Sequence, residues 1–98
     1  MIRPRDKVYK DEAYEKWIRA KSCLICGVRP VHLHHVDHAR RNTFLAVPLC
    51  AEHHMPGYPQ SYHQLEKDAW ERLHRINCDW AIINLLSEYI DELYKEKI

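Results

Sequence analysis

The chain has 98 residues, 46% hydrophobic and 30% charged, with a formal net charge of +1. That length predicts one small domain whose modest core gains from a metal or disulfide staple, and that balance excludes a disordered chain. No apolar run nears the roughly 20 residues of a membrane span, and the charged first seven residues do not read as a secretory signal, so a cytoplasmic protein without membrane contact is expected.

In the cytosol, four cysteines are expected as thiols or metal ligands and not as disulfides. The charge is unevenly spread. Residues 1–41 carry ten Lys/Arg and five Asp/Glu, and residues 42–98 carry five and nine. A basic front half is compatible with phosphate binding on one face. The eight histidines are uneven too: six of them, His32, His34, His35, His38, His53 and His54, fall within 23 residues, and His63 follows.

Residues 4–21 are predicted helical, with Pro4 at the first helical position and Val8, Tyr14, Trp17 and Ile18 as an apolar stripe. The pattern breaks at Cys23-Leu-Ile-Cys26-Gly27, a turn in which two thiolates can reach one ion. Residues 31–36 read as a strand, 37–43 as a polar and basic loop, and 44–49 as a second strand. Pro48 argues that the second strand is an edge or ends there. Residues 50–54 start a helical turn that Met55-Pro56-Gly57 stops, and residues 58–62 read as a loop. A helix is predicted over 64–76, with Leu65, Ala69, Leu73 and Ile76 on its apolar side. A final helix follows from an Asp79 N-cap to about Lys95, with Ile82, Ile83, Leu86, Tyr89, Ile90 and Leu93 inward.

Two ligand sets emerge. Cys23-x2-Cys26 and Cys50-x2-His53 supply four N/S donors in two tight turns, which suits a closed, tetrahedral structural zinc. His54 or Cys78 is an alternative fourth ligand, although Cys78, at a helix junction, reads better as a packed thiol. A second cation that does chemistry needs open coordination, with two or three protein ligands plus water. His34, His54 and His63 supply three imidazoles, with His32 as an alternative to His34 on the same strand face. His35 is left as a candidate general base, since histidine titrates near neutral pH and adjacent strand residues point in different directions.

These residues resemble a known group. Cys23-Leu-Ile-Cys-Gly, His34-His35-Val36, Val47-Pro-Leu-Cys50-Ala-Glu-His53-His54 and then His63 look like the HNH, or ββα-metal, nuclease superfamily. Within it the likeness is to small phage and prophage nucleases related to the recombinase-dependent recombination-enhancement nuclease, through Trp17-Ile18-Arg19 and Trp70-Glu71 as well. The resemblance covers roughly residues 14–94.

It implies a small α+β fold: a zinc-stapled β-hairpin and short helix with one N-terminal helix and two C-terminal helices. It also implies DNA phosphodiester hydrolysis that leaves a 5′-phosphate and a 3′-hydroxyl. His34, His54 and His63 would hold the catalytic metal (Mg²⁺, Mn²⁺, Ni²⁺ or Zn²⁺) and His35 would be the base. The middle position of the motif falls to Asn42 or to Thr43. Arg40 and Arg41 are candidate phosphate contacts in a loop shorter and poorer in glycine than in many relatives. DNA is the expected partner, with a recombinase or another phage or host DNA-processing protein beside it. The alternative function is a non-catalytic, zinc-stabilised DNA- or protein-binding module.

Overall fold

The computed structural model describes residues 9–36 and 42–96. The expectations placed on residues 4–8, His38, Arg40 and Arg41 lie outside them. The described residues form a small α+β fold: α1 (Glu12–Arg19), β1 (His32–His35), β2 (Ala46–Leu49), α2 (Ala51–His54), α3 (Tyr62–Leu65), α4 (Lys67–His74) and α5 (Cys78–Glu96).

The first helix starts later than its apolar spacing predicts. Asp11 is extended and its carboxylate accepts the Tyr14 N–H at 3.0 Å, an N-cap that fixes the start at Glu12. Ahead of it, Tyr9 bridges Asn42 and accepts the Thr43 N–H at 2.8 Å, so the chain there is extended.

β1 and β2 pair antiparallel, with His32 opposite Leu49, Leu33 opposite Pro48, His34 opposite Val47 and His35 opposite Ala46. In a two-stranded sheet each strand is an edge, so Pro48 costs no ladder bond on its outer side. Its carbonyl instead accepts the Leu24 N–H at 3.0 Å and ties the Cys23–Gly27 turn to β2.

The C-terminal part has three helices where two were expected. Residues 62–65 are helical, capped by the Ser61 hydroxyl, which accepts the Gln64 N–H at 3.2 Å. The chain then breaks at Glu66, whose φ of 68° and ψ of 164° fit neither helix. α4 buries Trp70 and leaves Leu73 exposed, so its inner face is rotated from the predicted one. α5 starts earlier than expected. Asn77 is its cap, with the side chain accepting the Trp80 N–H at 3.0 Å, and Asp79 lies inside the first turn. Its inner face is Cys78, Ala81, Ile82 and Leu85, with Leu86 and Tyr89 half-buried; Ile83, Ile90 and Leu93 point outward.

The core lies where α1, the hairpin, α4 and α5 meet: Tyr14, Ile18, Val47, Leu49, Trp70 and Ile82 are all buried. Tyr14 touches Trp17, Phe44 and Tyr89 with ring centroids 4.9–5.6 Å apart. At the edge of this cluster the Trp17 indole N–H donates to Glu92. The Lys21 ammonium pairs with Glu88 and lies 4.1 Å over the Trp17 ring. No helix among the described residues is long and apolar enough to cross a membrane.

Candidate metal centres

The first centre is built by two turns that the hairpin brings together. In the knuckle before β1, the Cys23 N–H donates to the Val28 carbonyl at 2.9 Å and the Gly27 N–H to the Cys23 carbonyl at 2.9 Å. Gly27 has φ 77°, the left-handed conformation that lets the chain turn this sharply. After β2, Cys50 leads into α2 and accepts the His53 N–H at 3.1 Å. Four donors converge: Cys23, Cys26, Cys50 and His53, with their ligating atoms within 4.8 Å of one another.

The spacings fit one shared ion. A tetrahedral zinc separates its sulfurs by about 3.8 Å and a sulfur from a nitrogen by about 3.6 Å. Here Cys26 Sγ and Cys50 Sγ are 3.6 Å apart, and His53 Nδ1 lies 3.7 Å from Cys23 Sγ and 3.3 Å from Cys50 Sγ. None of the thiols is in a disulfide. Cys78 is fully buried and lies outside this quartet. The Cys3His cluster can hold a metal ion and its donors suit zinc.

Without metal, the quartet is electrostatically divided. Burial pushes the Cys50 thiol up to about 11, while the Cys23 thiol is held below its ordinary value. Burial is the largest influence on Cys23 and opposes this, but the combined hydrogen bonds from Cys50, Cys26 and Ile25 outweigh it. Burial, and then the neighbouring His74, lower His53, so the neutral imidazole that a metal needs is the favoured form.

The second cluster lies around the helix from the first, at His54 of α2. His53 and His54 are consecutive in a helical turn, and roughly 100° separates consecutive side chains. His54 therefore leaves the thiols and meets His34 of β1 and His63 of α3, the three ligating atoms lying within 4.8 Å of one another. His54 Nε2 and His63 Nε2 are 3.2 Å apart. Two imidazoles bound at roughly 2.0–2.1 Å to one ion would be about 3.0 Å apart in octahedral and about 3.4 Å apart in tetrahedral geometry. His34 is buried under Tyr62, with ring centroids 4.0 Å apart, while His63 is exposed. The cluster thus has a floor and an open side.

His32, read from sequence only as a substitute ligand, has a different place. Its Nδ1 is 2.9 Å from His54 Nδ1, so one ring donates to the other and His54 keeps Nε2 for the cluster. That is the usual arrangement around a ligating histidine, whose second nitrogen is bonded to an outer partner. The sequence signal was the i, i+2 spacing of His32 and His34 on one strand face. His54 is pushed down to about 4, by burial first and then by the nearby His63, His32 and His35.

His35 follows His34 in the strand, is half-buried, and is close enough to contribute to that lowering. Asn42 uses its side chain locally: Oδ1 accepts the Phe44 N–H at 3.0 Å and shapes the entry to β2. Thr43 is buried, and its hydroxyl donates to Glu15 at 3.5 Å. Beyond His63 opens a cavity of about 650 Å³, also lined by Tyr62, Lys67, Asp68 and Arg72. Comparison of the chain with family models, with curated proteins and with solved structures returns no match.

Proposed function

We propose that the chain is a metal-dependent endonuclease of the HNH type that hydrolyses DNA phosphodiester bonds, with the hairpin and α2 as a ββα-metal core. The observation that carries this reading is the second cluster: three imidazoles converge beside, and separate from, a complete Cys3His quartet, and one of them faces solvent. A structural site needs four closed donors, whereas a site for chemistry keeps a position open. Cys23, Cys26, Cys50 and His53 then hold a structural zinc.

His34, His54 and His63 hold the second, divalent metal. When bound, it supplies Lewis-acid stabilisation of the negative charge that develops on the leaving oxygen. His35 accepts the proton of the attacking water at a ring nitrogen, the role that imidazole fills most often among side chains. The water oxygen bonds to phosphorus as the bond to the 3′ oxygen breaks; that oxygen takes a proton from solvent and His35 later releases its own, leaving a 5′-phosphate and a 3′-hydroxyl. His32 orients His54 through their Nδ1 contact. Asn42 or Thr43 braces the loop between the strands, and Arg40 and Arg41 in that loop contact backbone phosphates. The work is DNA recombination or processing of the phage type, with a recombinase or similar protein directing the cut.

Supercoiled plasmid tests this. Nicking that requires added Mg²⁺, Mn²⁺, Ni²⁺ or Zn²⁺ beyond the tightly held zinc is expected. A chain that binds DNA in a salt-dependent way but never cuts it, under any of these ions, is instead the zinc-stabilised binding module.

A further inference from the structure

α5 has a second apolar face that its own domain does not cover. Trp80, Ile83, Ile90 and Tyr94 are 65%, 50%, 56% and 70% exposed, and Ser87 lies exposed between them. The spacing is three, four, three and four residues, which lines all five up on one side of the helix. The core-facing residues Cys78, Ala81, Ile82 and Leu85 lie on nearly the opposite side. A helix that is apolar on both sides has a further surface to bury.

We propose that this stripe is the contact between two copies of the chain, with the two α5 helices antiparallel and crossing at Ser87. The stripe reads aromatic, isoleucine, serine, isoleucine, aromatic in either direction, with Trp80 and Tyr94 each seven residues from Ser87 and the two isoleucines four and three residues from it. A two-fold interface must be self-complementary, with residue i meeting j and j meeting i. Crossing at Ser87 gives Trp80 against Tyr94 and brings Ile83 within one residue of Ile90, each twice. The small serine on the axis lets the helices approach closely.

An antiparallel pair also opposes the two helix dipoles, which a parallel pair would align. The area is sufficient. Aromatic side chains bury roughly 150–250 Å² each and about two thirds of Trp80 and Tyr94 is still exposed, so the stripe and its flanks offer on the order of 500 Å² per copy and a pair buries about 1,000 Å², the size a specific interface must reach. Asn84, Glu88 and Asp91 supply a polar rim on one side.

Sedimentation equilibrium of the zinc-loaded full chain without DNA, from micromolar to hundreds of micromolar, tests the pairing. A mass twice the 11.8 kDa of one chain is expected. Ser87→Arg on the axis should weaken association at least 100-fold with helix content and zinc content unchanged. Under mild oxidation, Ser87→Cys should form a covalent dimer while Ile83→Cys, four residues from the axis and so far from its own twin, should not. A wild-type chain that stays monomeric throughout assigns the stripe to a different protein and overturns the proposal. So does a dimer indifferent to Ser87→Arg, and equal cross-linking of the two cysteine variants overturns the antiparallel arrangement.

Discussion

His53 and His54 are neighbours in one helical turn and belong to different clusters: His53 Nδ1 lies 3.3 Å from Cys50 Sγ, while His54 Nε2 lies 3.2 Å from His63 Nε2. Exchanging their surroundings is not possible without unwinding α2, so the two positions should fail differently. His53→Ala is expected to lose the tightly bound zinc and, with it, cooperative unfolding, because structural zinc contributes on the order of 10 kcal/mol to small domains. His54→Ala should keep one zinc per chain and most of its stability. Metal content by mass spectrometry and thermal melts by circular dichroism separate the two; equal zinc loss in both variants would contradict the division.

Acid should reveal His54. Its imidazole is lowered to about 4 by burial and by His63, His32 and His35, against an ordinary value of 6.5. A proton therefore binds the unfolded chain more readily than the folded one between those values. The neutral imidazole's contribution to stability is present above pH 6.5 and is lost as the pH falls toward 4. In the zinc-loaded chain without a second metal, the His54 ring resonances should titrate well below pH 6. His63→Ala should move that midpoint upward; a midpoint at 6.5 in the wild type would be the wrong sign.

Glu66 adopts φ 68° and ψ 164°, a conformation that only glycine takes without strain. Glu66→Gly is expected to stabilise the fold by about 1 kcal/mol, a rise of several degrees in melting temperature for a chain of this size. No change, or a loss, would mean that the glutamate side chain contributes more than its backbone costs.

Tyr14 is completely buried, and its hydroxyl has no hydrogen-bond partner among the described residues. Burial first, then Tyr89 and Glu88, push its ionisation up to about 12, the mark of an oxygen that is poorly solvated. Tyr14→Phe keeps the ring contacts and removes the stranded hydroxyl, so stability should hold or rise by about 1 kcal/mol. Denaturant unfolding measures it, and a loss of more than about 1 kcal/mol would show that the hydroxyl is satisfied.

Much of the site was legible because its signals are local. Cys-x2-Cys and Cys-x2-His each close within one turn, and the strand between them can only return antiparallel over so short a loop, so the two pairs meet. His63 was legible for a similar reason: few residues separate it from His54. The helical faces were read less well. Both α4 and α5 are flanked by apolar residues on more than one side, and periodicity alone cannot say which side meets the core; Trp70 and Leu85 won over Leu73 and Ile83. Apolar spacing carries the first helix back past Asp11, whose side chain caps it instead. The place of His32 beside His54 was not legible, because a ligand and an outer partner look alike in sequence and differ only in which ring nitrogen meets which.

In the proposed reaction His35 takes a proton from water while a neighbouring, separate cluster holds a metal. The most direct measurement is the single-turnover rate of plasmid nicking by wild type and His35→Ala at saturating divalent metal and equal zinc content. A loss of at least 100-fold in His35→Ala is expected, the scale of a general base, with DNA affinity unchanged. Equal rates in the two proteins, or no metal-dependent nicking by the wild type, would contradict it.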